Sequence, residues 1–157
     1  GYTVENMLAI VAIVISVISG LFSAFTYIKT MERDRKQATL DAYNGLQEQV
    51  FDQLNQYTPA EIRKIAMDNR GNQYKEVSGL VARIEHFCVG VNQKIYDFDT
   101  VYELAHGYFD GDTLISRVEP ILNKKQKNTA YDYYANIHIV LTKMERETKK
   151  RRRRASL

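Results

Sequence analysis

From Met7 to Ile28 the chain reads MLAIVAIVISVISGLFSAFTYI, 22 consecutive residues without a charge. At 1.5 Å rise per residue such a helix is roughly 33 Å long, enough to cross the hydrocarbon core of a bilayer with slight tilt. The polar positions inside the run are Ser16, Ser19, Ser23 and Thr26, whose hydroxyls can bond back to the helix's own carbonyls; Gly20 is tolerated in such helices. A cleaved signal sequence is the competing reading. It requires a basic leader and an apolar core of about 7–15 residues, whereas Gly1–Asn6 holds only Glu5 and the run is longer. No small-x-small cleavage site follows. A buried core helix is disfavoured by the length. The expectation is a single transmembrane helix, with membrane lipid as partner over residues 7–28.

Orientation follows from the flanks. Lys29, Arg33, Arg35 and Lys36 follow the run and no Lys or Arg precedes it. Basic flanks stay in the cytoplasm, so the expected topology is single-pass in the inner (cytoplasmic) membrane, N-terminus outside and C-terminal domain inside. Cys88 is the only cysteine; it excludes an intrachain disulfide, makes a Cys-based zinc site implausible and agrees with a reducing compartment. A myristoylation signal at Gly1 would need Ser or Thr at position 5, where Glu5 stands.

Charge is unevenly distributed. Residues 149–154 read KKRRRR. Residues 143–157 hold eight basic and two acidic residues, while residues 30–142 hold 13 basic and 16 acidic, a net −3. The basicity therefore belongs to the end of the sequence. A run of this kind is expected to be solvated and disordered, giving three parts: residues 1–29, a short N-terminus and anchor; 30–148, a cytosolic helical domain; and 149–157, a polybasic tail.

Beyond residue 29 the apolar periodicity is helical. Tyr43, Leu46, Val50, Leu54 and Tyr57 form one face of a helix that can continue directly from the membrane, with Gly45 a weak point. Thr58-Pro59-Ala60-Glu61 is a helix start: Thr58 caps, Pro59 takes the first position and Glu61 completes a capping box. That helix runs to about Met67, with a loop at Asp68–Asn72. Val77, Leu80, Val81, Ile84, Phe87, Cys88 and Val91 mark the central core helix, with Glu76, Arg83 and Glu85 opposite. Asp97 or Asp99 can cap a helix with inner face Val101, Leu104, Ala105 and Tyr108. Asp112 can cap another with Leu114, Ile115, Val118, Ile121 and Leu122, in which Pro120 removes a backbone donor. After a polar stretch at Asn123–Asn128, a last helix over about Thr129–Thr148 turns Tyr134, Ile137, His138, Leu141 and Met144 inward. The fold class is all-α: one N-terminal transmembrane helix followed by a bundle of about five or six helices.

The segments ARIEHFCVGVNQKIYD, DFDTVYELAHGYF, LISRVEPIL and YYANIHIVLTKM, in that order behind a single apolar helix, resemble the small membrane-anchored bacterial proteins grouped as domain of unknown function 4760. The resemblance spans most of residues 5–145 and rests on apolar and aromatic positions. It implies an all-helical cytosolic domain on one anchor and carries over no site residue.

Local catalytic signatures are absent: no Walker A motif, no G-x-G-x-x-G, H-E-x-x-H, G-x-S-x-G or C-x-x-C. Glu103 and His106 form one E-x-x-H, the spacing by which di-metal bundles share an ion between carboxylate and imidazole, but no second copy exists. With Asp110 and Asp112 they are the metal candidates, against a plainer reading as a surface pair and helix caps. Asp97/Asp99 and Asp110/Asp112 stand where caps are wanted. His138 reads as a hydrogen-bonded core histidine. Tyr131, Tyr133 and Tyr134 near Lys124, Lys125 and Lys127 could stack on bases; the plainer expectation puts Tyr134 inside and the others at a rim. No cofactor and no catalytic residue are expected.

The leading expectation is a non-enzymatic, membrane-anchored interaction module with a protein partner or a second copy, helped within the membrane by Ser16, Gly20 and Ser23, small residues that permit close helix approach. One alternative places anionic-lipid or nucleic-acid binding on Lys149, Lys150, Arg151, Arg152, Arg153 and Arg154. A second is a metal-dependent enzyme in the Glu103/His106 region. Arg153-Arg154-Ala155-Ser156-Leu157 also has the form of a basophilic kinase site.

Overall fold

The computed structural model describes residues 3–109, 113–128 and 133–157. These form six helices and no strand: α1 (Val4–Leu54), α2 (Pro59–Met67), α3 (Asn72–Asn92), α4 (Phe98–Phe109), α5 (Leu114–Asn128) and α6 (Ala135–Ala155). The chain divides into two compact units, Gly1–Gln37 and Ala38–Leu157.

The first unit is the leading part of α1. It is long and apolar enough to cross a membrane, and none of its most apolar window is buried. Side chains from Met7 to Ile28 are exposed on every face. Ser16 Oγ donates to the Ala12 carbonyl at 2.9 Å, so this hydroxyl is satisfied within the helix. That is the condition for a polar side chain in hydrocarbon.

The second unit holds the core. α3 packs most extensively on α6, α2 on α5, and α4 on both α5 and α6. All seven predicted apolar positions of α3 are buried, as are all five of α5. Thr58 caps α2, accepting from the Glu61 N–H at 3.2 Å. The box is closed differently from the expected one, because the Glu61 carboxylate accepts from the Thr58 hydroxyl rather than from its backbone N–H. Asp97 caps α4: Oδ2 accepts from the Thr100 N–H at 3.0 Å and from its hydroxyl at 2.6 Å.

Departures from the periodic reading have local causes. Gly45 leaves α1 unbroken, and Gln47–Phe51 form a π turn. A π turn carries more than four residues and rotates the following side chains. Val50 and the adjacent Phe51 are therefore both buried, Phe51 completely. Its ring stacks on Tyr108 (centroids 5.0 Å) and meets Tyr43 edge-on (6.1 Å). α5 continues through Pro120 and past Leu122 to Asn128, across the stretch expected to be a break. Lys124 there donates to the Ala66 carbonyl, one of the last carbonyls of α2 that an α-helix leaves without a partner of its own, and lies over the Tyr74 ring. α5 is preceded by Thr113, whose carbonyl accepts from the Arg117 N–H; the expected cap Asp112 lies outside the described residues.

α6 corrects the reading twice. Its inner face is Tyr134, Ile137, Val140 and Met144, while His138 and Leu141 are half-buried. The helix also continues to Ala155, so the described tail is ordered rather than disordered. Pairs one turn apart support it: Glu145 with Lys149 and Glu147 with Arg151, both at 3.1 Å.

Candidate functional site

The sequence-derived candidates fall at three places. Ser16, Gly20 and Ser23 lie on the exposed first part of α1; at Gly20 an added Cβ would meet nothing within 4 Å. That face is open to close approach.

The second place is where α4 meets α6. Tyr102, Glu103 and His106 lie within one turn or so of α4. His106 Nδ1 lies 2.8 Å from the Tyr102 carbonyl, and its ring stacks on Tyr102 at 4.7 Å. The Arg151 guanidinium lies over the same Tyr102 ring, 4.2 Å from the centroid, and pairs with both Glu103 and Glu147. The Tyr102 hydroxyl lies 2.8 Å from Thr148 Oγ1. Arg151 is thus a clamp between α4 and α6. Its hydrogen bond, then its charge, hold the Glu103 carboxyl below the usual carboxylate range. Glu103 is turned to a guanidinium, and among the described residues no group of three His, Cys, Asp or Glu could hold a metal ion. Asp110 and Asp112 lie outside the described residues. The arrangement fixes one helix end to another.

The third place is the basic run. At about 100° per residue, six consecutive cations spread around the whole helix. Arg151 faces α4, Lys149 pairs with Glu145, and Arg152, Arg153 and Arg154 are exposed. Lys149 and Arg152 also line a shallow cleft of about 360 Å³ with Phe109, Leu141 and Met144.

Other expected sites resolve into packing. Tyr134 is buried and Tyr133 is 48% exposed; Tyr131 lies outside the described residues. Lys124 is engaged with the Ala66 carbonyl and the Tyr74 ring. Cys88 is fully buried, and burial, aided by the nearby Glu85 charge, pushes its thiol up, which favours the neutral form.

Periodicity does not reveal two polar groups with defined tasks, Glu85 and Thr39. The apolar spacing sets Glu85 opposite the core, but its Oε1 accepts from the Asn136 N–H and Nδ2 and its Oε2 from the Ile137 N–H, all at 2.9 Å. It caps the start of α6 from another helix, with its negative charge at the positive end of the helix dipole. Asn92 Nδ2 adds a 2.9 Å bond to Asn136 Oδ1. The available signal was spacing: position 85 lies four after Val81 and three before Cys88, at the edge of the buried face. Thr39, fully buried, was likewise missed; its Oγ1 accepts from the Asp97 N–H at 2.8 Å.

With this all-helical architecture established, residues 10–144 match the family described as Domain of unknown function (DUF4760). The chain belongs to this family. The match covers most of α1 and all of α2 to α5, and ends within α6 at Met144, so Arg151 and the basic run lie beyond the matched residues. No curated protein and no solved structure matches the chain.

Proposed function

We propose that this DUF4760 protein is a membrane-anchored, non-enzymatic interaction module. The first part of α1 spans the bilayer, and residues 38–157 present a helical surface on the cytoplasmic side to a protein partner or a second copy. One observation carries this reading: the apolar face of α1 from Met7 to Ile28 is wholly exposed, whereas residues 38–157 close their own core. A helix apolar all round that finds no protein core requires lipid. The basic flank Lys29–Lys36 supports the cytoplasmic orientation. Affinity purification of the full chain from its native membrane in mild detergent tests the module. A reproducible stoichiometric partner supports it; a clean monomer counts against it. Within the membrane, Ser16, Gly20 and Ser23 supply the contact face. A Gly20→Ile, Ser23→Ile variant with unchanged self-association would remove that assignment.

A second reading rests on the ordered, exposed end of α6. Lys150, Arg152, Arg153 and Arg154 offer charge to anionic lipid or nucleic acid. Removing residues 149–157 separates the two readings: salt-sensitive binding to liposomes or RNA that survives the deletion does not belong to the run. Glu103 and His106 carry no catalytic proposal, since Arg151 engages Glu103.

A further inference from the structure

The exposed part of α1 changes character within one turn. Thr26, Lys29, Thr30, Glu32, Arg33 and Lys36 line a shallow groove of about 560 Å³. On a helix of 100° per residue, Lys29, Arg33 and Lys36 fall within an arc of about 60°, with Thr26 about 20° and Thr30 about 60° beyond Arg33 on one side. Glu32 borders the arc about 40° from Lys36. No ion pair among the described residues ties up Lys29, Arg33 or Lys36. Arg151, by contrast, has two carboxylates.

The same arc continues into the apolar run. Ile15, Ile18, Phe22 and Phe25 lie along it, all more than half exposed. Lys29 bends back over Phe25, its Nζ 5.6 Å from the ring centroid, so the amine sits at the point where charge and apolar surface meet. An apolar lane that ends in three cations and two hydroxyls has the shape and polarity of one lipid molecule: acyl chain below, phosphate above. Ser16, Gly20 and Ser23 lie about 80° or more around the helix from each of the three cations, so the cationic lane and the small-residue face are distinct.

We propose that Lys29, Arg33 and Lys36, with the hydroxyls of Thr26 and Thr30, form a binding site for the phosphate of an anionic phospholipid whose acyl chain lies along Phe22 and Phe25. The proposal rests on the anchor reading. The hydroxyls and cations donate to the phosphate oxygens, and three cations near a membrane surface each add to the attraction.

The test uses the full chain in nanodiscs of phosphatidylcholine with a small fraction of phosphatidylglycerol, followed by gentle release and native mass spectrometry. Retention of phosphatidylglycerol over phosphatidylcholine is expected, and inorganic phosphate in excess should not displace it. In Lys29→Gln/Arg33→Gln/Lys36→Gln retention should fall roughly ten- to a hundredfold. Gln keeps nearly the helix propensity of Lys and Arg, and circular dichroism checks that the fold is kept. Arg63→Gln/Arg70→Gln/Lys75→Gln removes equal charge from exposed positions outside both basic runs and should leave retention unchanged. Equal retention of both lipids, retention in the first triple variant, or loss in the second instead overturns the proposal. Displacement by inorganic phosphate assigns the groove to a free anion and overturns the lipid. A chain that does not enter phosphatidylcholine nanodiscs defeats the anchor reading too; a chain that enters them without preferring phosphatidylglycerol defeats this inference alone.

Discussion

α1 and α3 are both long helices rich in aliphatic residues, yet they dispose of them differently. In α3 the apolar residues at steps of three and four, Val77, Leu80, Val81, Ile84, Phe87, Cys88 and Val91, occupy one face and are buried. In α1 from Met7 to Ile28 they occupy every face, and all of them are exposed. The amount of apolar residue says little; its angular distribution decides whether a helix finds a protein core or a bilayer. α1 contains both patterns, since from Thr39 onward only one side is buried, through Tyr43, Leu46, Val50 and Leu54. Tyr43 marks the change: its hydroxyl donates to the Leu104 carbonyl at 3.2 Å, and burial, helped by Tyr108, pushes its pKa up to about 12.

The largest effect separates two phenylalanines of this one helix. Phe51 is fully buried, and Phe51→Ala should lower the unfolding free energy of the helical domain by about 3–5 kcal/mol through the cavity it leaves. Phe22 is 70% exposed, and Phe22→Ala should leave the denaturation midpoint of that domain unchanged. Chemical denaturation of the full chain in detergent, followed by tyrosine fluorescence, measures both. Similar losses would mean that the two parts of α1 do not differ as described.

A smaller effect tests how tightly α3 is fitted. A Cβ at Gly90 would lie 2.4 Å from Tyr96 Cε2, and Tyr96 is stacked on Phe87 at 5.1 Å. Gly90→Ala should cost about 1–3 kcal/mol by forcing the ring away. In a Tyr96→Ala background the sign should reverse, because Ala then contributes only its better helix propensity, about 1 kcal/mol. Thermal melts of the four proteins of this cycle decide. Additivity would show that the ring is not what excludes the methyl.

Glu85 and Lys94 show what periodic reading can and cannot recover. The apolar stripes of α3 and α5 were fully legible, because a repeated spacing is a property of the sequence alone. The caps at Thr58 and Asp97 were legible for a similar reason, since donor and acceptor lie within three residues. Glu85 serves residues 51 and 52 positions away, and Lys124 serves a carbonyl 58 positions away. Such partners are set by how helices pack. Phe51 needed the π turn, and the order of the basic run needed Glu103 across the α4–α6 contact. Glu85→Ala should destabilise the domain by about 1–2 kcal/mol by leaving the first N–H groups of α6 without acceptors. Hydrogen exchange localised to Asn136 and Ile137 would show it; unchanged protection there would reassign the contact as incidental.

Lys94 ends α3 in a way normally left to glycine. Its φ is +60°, its N–H donates to the Val91 carbonyl, and the Ile95 N–H donates to the Gly90 carbonyl. These are the two bonds of a Schellman ending, in which a side-chain-bearing residue at this position is strained. Lys94→Gly should therefore gain up to about 1 kcal/mol in denaturant titration. A loss would show that the Lys94 side chain supplies more than its backbone costs.

The smallest expected effect concerns the Arg151 clamp, on exposed groups at the far end of α6. Arg151 lowers the Glu103 carboxyl, first by its hydrogen bond and then by its charge. A folded-state value below the unfolded one makes this pair favour the folded state above the ordinary carboxylate pKa. The contribution is lost as pH falls through the lowered value. In Arg151→Gln the Glu103 carboxyl should titrate closer to the ordinary range, read by carboxyl carbon NMR, and amide exchange over residues 149–155 should quicken. Lys150→Gln removes a neighbouring charge without touching the clamp and should change neither. If both substitutions act alike, the order at the end of α6 comes from the summed charge of the run, and the contrast between one pinned arginine and its exposed neighbours disappears.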